Sequence, residues 1–158
     1  MSDHVDNVLA QWAAERPDLD VSPMAVLGRL SRASRRLDAE LAQTFATHNL
    51  DAAGFDVLAT LRRAGAPYAL SPKDLAAGAM VTSAAVAQRL NKLEARGLVE
   101  RSRNDDDGRS TRVTLTETGR QLVDAALPDH VATEHRLLEP LTGVERQTLA
   151  KLLAKLGG

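Results

Sequence analysis

SPKDLAAGAMVTSAAVAQRLNKLEARGLVERSRNDDDGRSTRVTLTETG, residues 71–119, is the stretch whose reading decides the fold. Ser71 can cap a helix, Pro72 suits its first position, and Asp74 stands where a capping box wants an acid. That helix is short and stops near Gly78. Val81-Thr82-Ser83 opens a second helix, which Gly97 ends by allowing a left-handed backbone. Leu98 to Arg101 has strand character. The polar run Ser102 to Ser110 reads as a loop, and Thr111 to Leu115 alternates polar and apolar as a half-buried strand does. Helix, turn, helix, strand, loop, strand is the order of a winged helix-turn-helix, a DNA-reading module.

The second helix carries two faces. Val86, Leu90 and Leu93 recur at spacings of four and three, so they pack inward. Ala84, Gln88, Asn91 and Ala95 share the opposite face, with Ser83 at the N-terminal end and Lys92 on the flank. Small side chains let a helix approach a groove closely, and amides can pair with base edges. The six residues expected to meet DNA are Ser83, Ala84, Gln88, Asn91, Lys92 and, from the loop between the strands, Arg109. A loop arginine in the minor groove reads groove width and negative potential rather than base identity. An ordinary amphipathic surface helix would show the same periodicity, so the two strands and the loop arginine carry the distinction.

Three segments then resemble a known family. Leu93 to Arg101, Asp107-Gly108-Arg109-Ser110, and Val113-Thr114-Leu115-Thr116-Glu117-Thr118-Gly119 are similar to the MarR family of transcription regulators, over about residues 23–156. The resemblance implies a mainly α fold with a small β-wing, a homodimer with a helical dimerisation lobe, and a repressor on a pseudo-palindromic operator. One departure concerns the loop. Related wings are often richer in basic residues, whereas Asn104-Asp105-Asp106-Asp107 is acidic and weakens nonspecific phosphate attraction.

Outside the module the chain reads as helices. Val5, Val8, Leu9 and Trp12 lie at i, i+3, i+4 and i+7. Ser22-Pro23 starts a long helix, with Val26, Leu30, Leu37, Leu41 and Phe45 on one stripe and Arg29, Arg32, Arg35 and Arg36 on solvated faces. Asp51 caps a third helix that runs to Arg63. Residues 66–70 read as a linker. Thr116 caps a helix in which Pro128 is expected to make a kink or break. Thr142 and Glu145 form a capping box, and Leu149, Leu152, Leu153 and Leu156 line the last helix. The terminal stripes need a covering surface, which a second copy supplies. The organisation read from sequence is 1–50 for the added helix plus dimerisation helix, 51–119 for the DNA-binding lobe, and 120–158 for the C-terminal dimerisation helices.

A finer resemblance concerns a ligand. Trp12 on an added N-terminal helix, Asp56, Arg89 and Arg101 match the branch of the family that responds to urate or related small anionic metabolites, including tricarboxylates. In that branch these four positions mark the ligand site. Geometry supports Arg89 separately, since it sits about 60° from the inward face of its helix. An inward-angled arginine needs an anionic partner. Asp56 is the expected partner in the free protein, to be replaced by the ligand, with Arg101 and Trp12 completing the site.

Composition narrows the rival classes. The net charge of −1 over 158 residues excludes a generally basic nucleic-acid coat. Residues 71–112 nevertheless hold eight Lys and Arg against six Asp and Glu, a slight local excess. With no cysteine, disulfides, thiolate metal sites and thiol switches are excluded. No apolar run reaches membrane-spanning length and the polar N-terminus is no signal peptide, so a cytoplasmic protein is expected. No Gly-rich phosphate loop follows a strand and no His-Glu-x-x-His occurs, which argues against an enzyme. No cofactor or metal is expected. His130 and His135 are five apart, off a common helical face. Arg103 and Thr114 occupy the first and last ligand positions that an EF-hand reserves for acids. A winged helix that binds protein instead of DNA is the remaining alternative.

Overall fold

The computed structural model describes residues 2–103 and 110–157. Seven helices and three strands follow in order: α1 His4–Glu15, α2 Pro23–Ala46, α3 Ala52–Arg63, β1 Ala69–Leu70, α4 Pro72–Gly78, α5 Ser83–Ala95, β2 Val99–Arg103, β3 Thr111–Leu115, α6 Glu117–Leu137 and α7 Gly143–Gly157. The chain forms two compact units, Met1–Glu40 and Leu41–Gly158.

In the first unit, the start of α1 is fastened twice. The Asp3 carboxylate accepts from the Asp6 backbone N–H and the Asp6 carboxylate accepts from the Asp3 N–H, each at 2.9 Å, a reciprocal cap. Arg29 of α2 then reaches both acids, at 2.8 Å to Asp3 and 2.6 Å to Asp6. The Asp6 N–H and the guanidinium together hold the Asp3 carboxyl below its ordinary value. Val5 is the buried residue of α1. Sequence reading gave Arg29 only a solvated face; the acid pair three residues apart at a helix start is the signal that locates its partner.

The second unit holds the core. Leu58, Leu61 and Val57 of α3, Leu75 of α4, Val99 of β2, Val113 of β3 and Val123 of α6 are all fully enclosed. At about 1.5–3 kcal/mol for each buried aliphatic side chain, this cluster dominates the stability of the module. The strands pair antiparallel in the order β1-β3-β2, with Val99 opposite Leu115 and Arg101 opposite Val113. Gly97 turns the chain from α5 into β2 at φ +71°, where a Cβ would be strained. Gly119 lets α6 start against the sheet, since a Cβ there would lie 2.1 Å from the Leu98 carbonyl oxygen.

Two expectations change. Residues 69–70, read as linker, form β1 and pair with Thr114 and Val113. Two residues are too short for period-2 alternation to show. The break at Pro128 does not occur, for α6 runs past Glu134, as read from the sequence, to Leu137. The missing N–H costs one hydrogen bond, but α6 is anchored on both sides of it. Val123 and Ala126 are buried before Pro128. After it, Thr133 bonds Thr44 at 2.7 Å, and Asp129 lies 2.7 Å from His48.

The terminal stripes are uncovered. Leu152 and Leu156 of α7 are 54% and 64% exposed, and no residue of that helix is buried. In the first unit, Val26 and Leu27 of α2 are equally open.

Candidate nucleic-acid interface

α5 is seated through its inner face and leaves its outer face free. Thr82 caps it, its hydroxyl accepting from the Ala85 N–H at 3.2 Å. Val86, Leu90 and Leu93 are buried against the core, while Ser83, Ala84, Gln88, Asn91, Lys92 and Ala95 are exposed. The DNA face read from the sequence is therefore an outward face of α5. Arg109 lies outside the described residues, as does the acidic run 105–107.

The turn between α4 and α5 is held by Asp56. Its carboxylate, 8% exposed, accepts from the Met80 and Val81 backbone N–H groups at 2.6 and 2.9 Å. A buried carboxylate with two backbone donors is satisfied without a side-chain cation. Asp56 thus fixes the turn that sets the angle of α5, and the expected Asp56–Arg89 pair is absent. Spacing along α3 could show Asp56 facing inward; only the fold shows that the turn reaches back to it.

Arg89 takes a different acid. Its Nε lies 2.8 Å from an Asp51 carboxylate oxygen, although this N–H is buried and makes no directed hydrogen bond. The distance is that of an ionic contact. The other Asp51 oxygen caps α3, accepting from Gly54 N–H at 2.7 Å. Asp51 thus serves two groups, the α3 cap through one oxygen and Arg89 through the other. Around this pair a cavity of about 340 Å³ is lined by Asn49, Asp51, Arg89, Lys92 and Arg96 among others. Three cationic side chains against one carboxylate make it a basic recess of a size suited to a small ligand.

Arg101 sits elsewhere. From β2 it donates to Glu94 through Nε at 2.8 Å and to the Asn91 side-chain oxygen through Nη2 at 2.7 Å. The Arg101 guanidinium holds the Glu94 carboxyl below its ordinary value. Asn91 and Glu94 are about 200° and 140° around α5 from Arg89, so Arg89 and Arg101 occupy different flanks of the helix. Trp12, on α1 in the other unit, is 43% exposed. Within the second unit, Asp56, Arg89 and Arg101 are engaged by three separate sets of partners rather than gathered at one point.

Among the described residues no group of three His, Cys, Asp or Glu side chains could hold a metal ion. His130 packs instead against both rings of the stacked Phe45–Phe55 pair, with centroids at 5.1 and 4.9 Å. No helix among the described residues is long and apolar enough to cross a membrane.

With this geometry in view, the comparisons agree. Residues 48–110 match the model of the MarR family. The transcriptional regulator PecS of Dickeya dadantii is 40% identical over 151 residues, covering 96% of this chain and 91% of PecS. The structure of Bordetella bronchiseptica BpsR, whose DNA binding is regulated by 6-hydroxynicotinic acid, superposes with a TM-score of 0.76 at 33% identity, over 84% of this chain and 92% of BpsR. MarR of E. coli complexed with operator DNA gives 0.74 at 28% identity, over 87% and 99% of the two chains. The match to PecS over nearly the full length of both chains, with the family model over residues 48–110, places the chain in the MarR family of DNA-binding transcriptional regulators.

Proposed function

We propose that this regulator acts as a homodimeric repressor on a pseudo-palindromic operator and is released by a small anionic metabolite. The observation that carries the DNA reading is the outward α5 face of Ser83, Ala84, Gln88, Asn91 and Lys92, held at a set angle by Asp56. Arg109 would add the minor-groove contact. The uncovered stripes of α2 and α7 support assembly of two chains through the segments 1–50 and 120–158. Two-fold symmetry then sets two copies of α5 about one DNA turn apart. The cytoplasm, where the DNA lies, is the place of action.

For the ligand, the basic recess at Arg89 is the centre of the reading. Arginine forks suit carboxylates and urate-like anions, which accept paired hydrogen bonds. A ligand there competes with Asp51 for Arg89 and so acts on the helix that faces DNA. The family resemblance also names Trp12, Asp56 and Arg101, of which Asp56 and Arg101 hold other partners in the free chain. The regulation of BpsR by 6-hydroxynicotinic acid supports an anionic aromatic effector as one class, with urate and tricarboxylates as the others. Coupling of about 1–3 kcal/mol would lower operator affinity roughly 5- to 150-fold.

Trp12 is the single tryptophan, so any change in tryptophan fluorescence belongs to it. Urate, citrate, aconitate and 6-hydroxynicotinate are each titrated while operator release is followed in parallel. One of them is expected to quench Trp12 saturably and to release DNA, both effects being lost in Arg89→Ala. A metabolite that releases operator equally from wild type and Arg89→Ala would refute the site. If no duplex emerges from a pooled selection, the module binds protein instead.

A further inference from the structure

Arg101 bridges the wing strand and the reading helix, and the chemistry of that bridge bears on which base Asn91 meets. An asparagine amide has one acceptor oxygen and an NH2 with two donors. The two atoms are hard to tell apart by shape, and their assignment follows from the partner. Here the partner is a guanidinium, which only donates. The Asn91 atom 2.7 Å from Arg101 Nη2 is therefore the oxygen. Glu94 holds the same guanidinium, accepting from Nε at 2.8 Å and from Nη2 at 2.5 Å. The three side chains form a chain of charge-assisted bonds on the exposed flank of α5, with Glu94 and Arg101 each only partly exposed.

This orientation has a consequence for readout. Pairing with adenine uses both ends of the amide, the oxygen accepting from adenine N6 and the NH2 donating to N7. In this protein the oxygen already accepts from a cation. An adenine amino group would have to share that oxygen and place its own hydrogens beside the guanidinium. Guanine presents two acceptors, N7 and O6, in the same place. They suit the NH2 of Asn91, whose two hydrogens face away from the guanidinium.

We propose that Arg101 is a positioning residue of base readout: it turns Asn91 so that its NH2 is presented to the groove, and so biases that base pair toward guanine over adenine. The proposal rests on the reading that the outward α5 face contacts bases. It gives Arg101 a role that needs no ligand.

The test is a pooled duplex selection run with wild type, Asn91→Ala, Arg101→Met and Arg101→Lys, each checked for an unchanged thermal transition. Asn91→Ala identifies the base pair by flattening its preference. At that pair wild type is expected to favour guanine. Arg101→Met is expected to move the preference toward adenine, by about 5- to 150-fold in the guanine-to-adenine ratio, and Arg101→Lys to restore part of it. In the Asn91→Ala background the Arg101 change should leave that pair unaffected. A uniform loss of affinity at every position, or an unchanged profile in Arg101→Met, would overturn the proposal while leaving α5 as the reading helix. If wild type selects no motif, the DNA reading itself fails and this proposal goes with it.

Discussion

α5 and α7 are similar helices in sequence and opposite ones in structure. Each is short, each carries a leucine-rich stripe at helical spacing, and each follows a threonine cap. In α5 the stripe is closed, with Val86, Leu90 and Leu93 at most 5% exposed. In α7 it is open, with Leu149, Leu152, Leu153 and Leu156 between 39% and 64% exposed. Periodicity states that a face is apolar; it does not state what covers it. α5 finds its cover within the chain and leaves its polar face exposed. α7 finds none within the described residues, and a second copy is its proposed cover.

The contrast can be broken most severely at α7. Leu152→Asp with Leu153→Asp should leave the fold intact, because neither residue is buried, yet yield monomers. Losing bivalent engagement should cost about 10²- to 10⁴-fold in operator affinity. Sedimentation alongside a binding titration reads both effects, and a doubly charged variant that remains dimeric would place the interface elsewhere. At α5 the same kind of change acts on stability instead. Leu90→Ala should lower unfolding free energy by about 2–5 kcal/mol, measured by denaturant titration. A smaller effect is expected on the outer face of α5, where Gln88→Ala leaves stability alone and costs about 1–3 kcal/mol of discrimination at one base pair. A preference profile identical to wild type would remove Gln88 from the interface.

The same contrast explains how much could be read from residues alone. Caps and inward stripes are local, so Ser71, Thr82, Asp51 and Thr116 appear at the helix starts where their chemistry puts them. The outward α5 set was legible for that reason. Partnerships between distant residues were not. Asp56 faces inward from α3, but that its acceptors meet the Met80–Val81 turn depends on how α3 and α4 pack. Arg89 needed an acid, and spacing could not choose between Asp51 and Asp56. Arg101 and Asn91 are ten residues apart and meet only because β2 returns alongside α5. The β1 strand is invisible for a related cause, as its two residues are defined by pairing with β3 rather than by any pattern of their own.

On the proposed reading, α5 meets DNA in a two-fold assembly closed by the terminal helices. This is tested most directly by the stoichiometry of the chain on a duplex from pooled selection, measured by sedimentation at several salt concentrations. Two chains per pseudo-palindromic duplex, with affinity falling steeply as salt rises, is the predicted result. A single chain bound per duplex, or binding indifferent to both salt and sequence, would contradict it.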